Sequence, residues 1–451
     1  MVFPVVFRVA QFCLLAQIIL APLLLGGARP WAMGILSVLT GIGILALCAK
    51  MPIHIPRYLR VIWLIAGLVA GWMIVQSLPI WPMQAAPFNA DHIALFPTAW
   101  HSTVADILWF IATLTLASLL AHKDPHSFIK QVCITTACAA TLQVGLAALD
   151  QIAGWQTTFW FTKTAHIGDW TGSFANRNAF ATVMIFGLLA SLYCFARTPG
   201  FSAAKRIDQK GGWLAIAVIC GVALLQSHSR SGVAIALVSI IVFGWIYVLA
   251  SNVALTRWRI VSGILITSGW VGACALLVIF AFPEIGPRFA DLSRLDLIQR
   301  DDAWASGVYA VMARPITGYG PGSIALVLGH FATPGLNANA NWFSSHNIWL
   351  DGAITLGLPM MACLVLATLF AGFKIWRGLG TPPQKALFGT ITTIFVLSAS
   401  VDWIITLPAL ILPIGLVWAG CSQVGARRHR EGHGPSGFAA QSGTRDQAVW
   451  P

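Results

Sequence analysis

Arginine, histidine and serine gather in five short segments of an otherwise apolar chain, and their types suit the handling of an anion and a proton. In Gly172-Ser-Phe-Ala-Asn-Arg-Asn-Ala-Phe180, Arg177 stands between Asn176 and Asn178 at the mouth of an apolar run. The asparagines suit helix capping, and a cation beside a helix N-terminus marks a place favourable to anions. Snorkelling of Arg177 to the membrane edge is the competing reading. In Ser227-His-Ser-Arg-Ser-Gly232 a tight turn holds Arg230 between two apolar runs. Its guanidinium can clasp a phosphate in a two-pronged hydrogen bond or anchor a headgroup. The serines around it, Ser229 included, and the absence of belt aromatics favour the first reading.

The third segment runs from Asp296 through Arg300, Asp301, Asp302 and Trp304 to Pro315. Trp304, Val308 and Met312 recur every fourth residue, which predicts an amphipathic helix with Arg300 one turn earlier on the same face. An ordinary solvated arginine is the equal alternative. Pro315 is expected to end the helix. The adjacent Asp301 and Asp302 diverge around such a helix and make a poor metal clamp, so both are expected to be solvated. The fourth segment, Gly318-Tyr-Gly-Pro-Gly-Ser323, is either a tight bend or a loop whose backbone N–H groups meet an anion, with Tyr319 beside it. In the fifth, Ser344-Ser-His-Asn-Ile-Trp-Leu350, His346 and Asn347 immediately precede an apolar run. A lone histidine is usually structural, but an imidazole sharing an edge with arginines suits proton transfer near neutral pH.

The elements that must position these groups are membrane helices. Of 451 residues, 57% are hydrophobic and 9% charged, far below the roughly 25% charged residues of a soluble domain. Runs of about 20 apolar residues, enough to cross a bilayer, lie at 9–27, 31–49, 61–80, 103–121, 129–149, 178–196, 212–226, 232–250, 260–281, 348–372, 386–402 and 403–421. The seventh is short and the last two are split only around Asp402, so eleven or thirteen spans are alternatives to twelve. The first run reads as a retained helix rather than a signal peptide, because a second span follows at once. The nine cysteines all lie in or beside apolar runs, which implies no disulfide framework.

The formal charge of +12 resembles a nucleic-acid footprint until it is distributed over the loops. With twelve spans, one side carries 19 basic and four acidic residues, and the other eight basic and 11 acidic. Basic loops remain cytoplasmic, so both termini are expected inside and the charge reports topology rather than a nucleic-acid partner. Residues 1–422 form the expected membrane domain, and 423–451 a basic, disordered cytoplasmic tail. The long loops at about 81–102, 150–177 and 282–347 then face outward, and long loops are usually functional.

Outer-face arginines suit an anionic substrate carried by a lipid, such as a polyprenyl-diphosphate glycan. Cleavage between the anomeric carbon and phosphate puts charge on the diphosphate, which fixed guanidinium groups stabilise where water is scarce. The attacking hydroxyl loses a proton that a histidine can accept, and direct displacement inverts the anomeric centre. No spaced ligand set for a metal is present, and Arg230, Arg300 and Arg177 would take the place of a divalent cation. Asp402, at the outer end of the eleventh span, is a candidate to orient His346.

At these residues the chain resembles the O-antigen ligase and polymerase superfamily. The likeness rests on 172–178, 227–232, Arg300 with Trp304, Pro315, Gly318 and Gly320, and His346-Asn347 followed by Gly357. It covers about 170–360; the first five spans share only their apolar character. Three places after Gly357, where the family usually has Gly, Thr or Tyr, stands Met360. The resemblance implies a GT-C-like, all-α membrane glycosyltransferase of the bacterial inner membrane with a long, partly helical periplasmic loop. It also implies metal-independent, cofactor-free, inverting transfer from undecaprenyl diphosphate. Arg230, Arg300 and His346 are its implied catalytic residues; Arg177, Asn176, Asn178, Ser229, Tyr319, Asn347 and Asp402 are candidate substrate contacts. The acceptor separates a ligase acting on lipid A–core, which is favoured, from a polymerase and from a protein glycosyltransferase. A lipid-linked sugar transporter is the rival from another class, weakened by the scarcity of charge at the span centres.

Overall fold

A computed structural model describes residues 2–49, 57–80, 88, 91–198, 203–251, 296–337 and 341–432. Within them the chain is all-α, with fourteen α-helices and no named strand. The helices are α1 Val2–Leu23, α2 Pro30–Cys48, α3 Arg57–Gln76, α4 Trp100–Ala121, α5 Pro125–Ala153, α6 Arg177–Arg197 and α7 Ala203–Gln226. They continue with α8 Arg230–Ala250, α9 Asp296–Ala313, α10 Ile324–His330, α11 Ile348–Leu356, α12 Leu358–Gly378, α13 Pro382–Val401 and α14 Pro408–Gly432. Ten are long and apolar enough to cross a membrane, and the apolar part of α7, Lys210–Gln226, is shorter. The protein is a multi-pass membrane protein. The expected ninth span, 260–281, lies outside the described residues.

Helix α6 is the axis of the bundle. Of its apolar window 83% is buried, against none of the α12 window, whose large side chains Leu366, Leu369, Phe370 and Phe373 all point outward. Small residues let its neighbours come close. At Gly187 of α6 a Cβ would stand 2.4 Å from the Ala140 Cβ of α5 and 2.8 Å from the Cys220 Sγ of α7, distances no packed core tolerates. Some polar groups inside the bundle satisfy one another, as Thr40 does with Thr113 at 2.9 Å and the Trp109 indole with Gln17 at 3.3 Å.

Two expected boundaries move. The run at 348–372 is two helices, because Gly357 takes φ +82° and Pro359 starts the next helix. A Cβ at Gly357 would fall 2.0 Å from the Ile316 carbonyl oxygen, so the sharp break needs glycine. The expected tail begins as helix: α14 runs to Gly432, ten residues beyond residue 422. Its remainder lies outside the described residues.

Helices α9, α10 and α11 build a small cap with its own core of Ala310, Val311, Tyr319, Val327, Leu328, Ala353 and Ile354. Helix α9 confirms the predicted helix but presents another face. Val308 and Met312 are exposed, while Ala303, Ser306, Gly307, Ala310 and Val311 turn inward. Small residues win that face because α11 packs against it: the Leu350 side chain leaves a Cβ at Gly307 only 2.6 Å of room. Gln76 of α3 ties the cap down, donating to the Thr317 and Thr355 carbonyls at 2.7 and 2.9 Å.

Candidate functional site at the rim of the bundle

Helix ends bring the polar segments together. Asn176 caps α6 by accepting from the Asn178 and Ala179 amides, Ser229 caps α8 by accepting from Gly232 at 3.1 Å, and Asn347 caps α11 by accepting from Leu350. Each cap satisfies amides that have no partner in their own helix. Asp402 follows the last residue of α13 in extended backbone. The start of α6, the start of α8, the start of α11 and the end of α13 therefore meet at one rim.

Two buried carboxylates organise that rim. Asp402 Oδ1 accepts from His346 Nδ1 at 3.2 Å, and its Oδ2 accepts from the Asn178 amide at 3.0 Å with Arg300 at 3.9 Å. Burial pushes the Asp402 carboxyl up, but the His346 hydrogen bond and charge, the Asn178 amide and Arg300 outweigh it. The net result is a pKa below the ordinary carboxylate value. Asp169 Oδ1 accepts from His228 Nδ1 at 2.7 Å and its Oδ2 from Arg177 at 3.0 Å, with His166 at 3.7 Å. Asn178 and Ser229 connect the halves, because the Asn178 side chain donates to Asp402 and accepts from the Ser229 hydroxyl at 2.7 Å.

A cavity of about 350 Å³ opens beside Asp169, lined also by His166, Ile167, Arg177, His228 and Arg230. Arg230, the first residue of α8, makes no ion pair or hydrogen bond through its side chain among the described residues, so its fork is available to a ligand. Arg300 and His346 do not line this cavity; Asp402 gathers them, and Asn178 joins the two groups.

The loop carrying Asp169 is pinned from below. Lys163 donates to Asp150 at the end of α5 at 2.8 Å and to the Asp169 carbonyl at 3.2 Å, both carboxylate and ammonium being buried. The His346 turn is pinned likewise. Asp351 accepts from the Ser345 amide at 2.8 Å, from its hydroxyl at 2.6 Å and from the Ser344 hydroxyl. Burial raises the Asp351 carboxyl above its ordinary value against these bonds. Of the six non-glycine residues with positive φ among the described residues, three are His166, His228 and His346. Such backbone is strained and collects where surroundings hold a side chain for a purpose.

The structure brings together Arg177, Asn178, Ser229, Arg230, Arg300, His346 and Asp402. Asn176 and Asn347 sit at the same rim, with their side chains spent on capping. Tyr319 is a correction. It is fully buried in the cap core, donates to the Ala310 carbonyl at 3.0 Å and lies under the Arg314 guanidinium at 4.9 Å. An apolar ring fills the cap better than it serves a solvent-facing contact. Asp302 is a second correction: it is only partly exposed and accepts from the Thr333 hydroxyl, whereas Asp301 is exposed as expected. Asp169 was missed. Its signal was faint, as the single acid between residues 151 and 176.

Fold and rim together define a polytopic membrane protein with a basic, histidine-bearing polar site at one end of its bundle. Residues 215–365, about a third of the chain, match the family model described as O-antigen ligase, which supports the resemblance to the O-antigen ligase superfamily. The match contains Arg230, Arg300 and His346 and stops short of Arg177, Asn178 and Asp402. No curated protein matches the chain. Members of that family are membrane glycosyltransferase-like enzymes, and the match supports an enzyme at that general level.

Proposed function

We propose that the protein transfers a glycan from undecaprenyl diphosphate to an acceptor hydroxyl at the periplasmic face of the bacterial inner membrane, as an O-antigen ligase acting on lipid A–core. The observation that carries this reading is the continuous bonded network from His346 through Asp402, Asn178 and Ser229 to the helix start bearing Arg230. The lipid lies along the bundle, its diphosphate meets Arg230 and Arg177 on one side and Arg300 on the other, and the glycan projects outward.

Asp402 accepts the His346 Nδ1–H, which leaves Nε2 as the proton acceptor. The acceptor oxygen bonds to the anomeric carbon from the face opposite the diphosphate, and its proton passes to Nε2. The carbon–oxygen bond to phosphate breaks with its electron pair leaving on the diphosphate, where the arginines stabilise it without a metal ion. Inversion follows from the single displacement. Charged side chains at the rim rather than at span centres favour this reading over transport.

Deletion of the gene followed by analysis of surface and lipid-linked glycans tests it. Long chains stranded on the polyprenyl carrier are the expected result. Single repeat units capping the core would indicate a polymerase instead, and unchanged glycans would overturn the reading.

A further inference from the structure

The cavity contains an imidazole that the transfer mechanism leaves unused. His228 stands between α7 and α8, and its Nδ1 lies 2.7 Å from Asp169. The carboxylate fixes Nδ1 as the donor and leaves Nε2 without a protein partner among the described residues, on a side chain that lines the cavity. The facing charged and titratable groups are Asp169 and His166 from the loop, Arg177 from α6 and Arg230 from α8. Lys163 is turned away, bonded to Asp150 and to the Asp169 backbone. His166 is the poorer proton carrier: its carboxylate contact is 3.7 Å, and burial with Arg177 and Lys163 lowers its pKa against Asp169.

Charge balance gives His228 a task. A donor's diphosphate is esterified at both ends, and after transfer it keeps only the lipid ester, so it gains an ionisable oxygen and one more negative charge. The three arginines, Arg177 already paired with Asp169 and Arg300 beside Asp402, must meet that charge. We infer that His228, oriented by Asp169, is the proton donor that neutralises the departing lipid diphosphate, an inference that rests on the reading of this rim as the diphosphate site. In the displacement the acceptor's proton goes to His346, and the protonated His228 gives its Nε2 proton to the new diphosphate oxygen. His346 then releases a proton to water and His228 regains one from water, so protons balance over the cycle. His228 acts as a catalytic residue on the leaving group, and Asp169 is its positioning residue.

The test uses the full chain in lipid nanodiscs with undecaprenyl diphosphate, the leaving product, as the probe, its affinity measured from pH 6 to pH 8.5. His228→Asn is the informative variant, since asparagine tolerates the left-handed backbone at this position. Titration of the probe is common to all variants and cancels in the ratio of affinities. His228→Asn should bind about tenfold more weakly than the native protein at pH 6 and within about twofold of it at pH 8.5, the loss of one charge-assisted contact. Asp169→Asn should show the same pH-dependent ratio, and His346→Ala should not. A ratio that stays flat with pH in both His228→Asn and Asp169→Asn overturns the inference and leaves the diphosphate site standing. Failure of the native protein to bind the probe at any pH overturns both.

Discussion

Asp169 and Asp402 are buried carboxylates at one rim, and each holds an imidazole and a guanidinium, yet they hold them differently. Asp169 grips its partners at 2.7 and 3.0 Å, while Asp402 keeps His346 at 3.2 Å and Arg300 only at 3.9 Å. The Asp169 half is a set cradle around a cavity. The Asp402 half is looser, and a loosely held arginine can turn to a ligand without losing a strong bond. The difference suggests a division of labour, with the cradle gripping and protonating the diphosphate and the looser half taking the acceptor's proton.

Substitutions break the comparison at graded points. His346→Ala should lower transfer by about a thousandfold, the scale of a lost general base, with protein yield and thermal stability unchanged; near-native turnover would remove the proposed proton acceptor. Arg230→Lys should lower transfer by about a hundredfold, since an ammonium cannot reproduce the fork. Asp402→Asn keeps the shape and should cost on the order of tenfold by leaving the imidazole poorly oriented.

The Asp402 variant also has a pH signature. A carboxyl whose pKa is lowered on folding contributes stability above its unfolded value, about 3.9, and that contribution fades as pH falls through the folded value. The native protein should therefore melt higher than Asp402→Asn at pH 7, and that margin should shrink steadily as the pH falls below about 3.9. A margin that does not shrink on acidification below that value would contradict the assigned ionisation. The smallest effect on turnover is expected from Lys163→Met, which leaves Asp150 buried and unpaired. It should destabilise the protein by about 3 kcal/mol, read in thermal unfolding.

Much of this was legible in the sequence, because lipid demands long apolar helices and any cation at their ends stands out. Arg177, Arg230 and His346 were readable for that reason, and Asp402 was readable as a break between two apolar runs. What the sequence hid depends on long-range packing. Tyr319 looked available because glycines surround it, but the cap core needed an aromatic ring there. The stripe of Trp304, Val308 and Met312 matched helical spacing, and the small-residue face of α9 packed inward instead. Asp169 carried no motif. Its importance comes from Lys163 and Asp150, thirteen residues apart, folding the loop back onto the end of α5.

A structure of the protein with undecaprenyl diphosphate bound would test the central claim most directly. The account predicts phosphate density between Arg230 and Arg300, with His228 and His346 on either side of it. Headgroup density elsewhere on the bundle, with these side chains left facing bulk lipid, would contradict it.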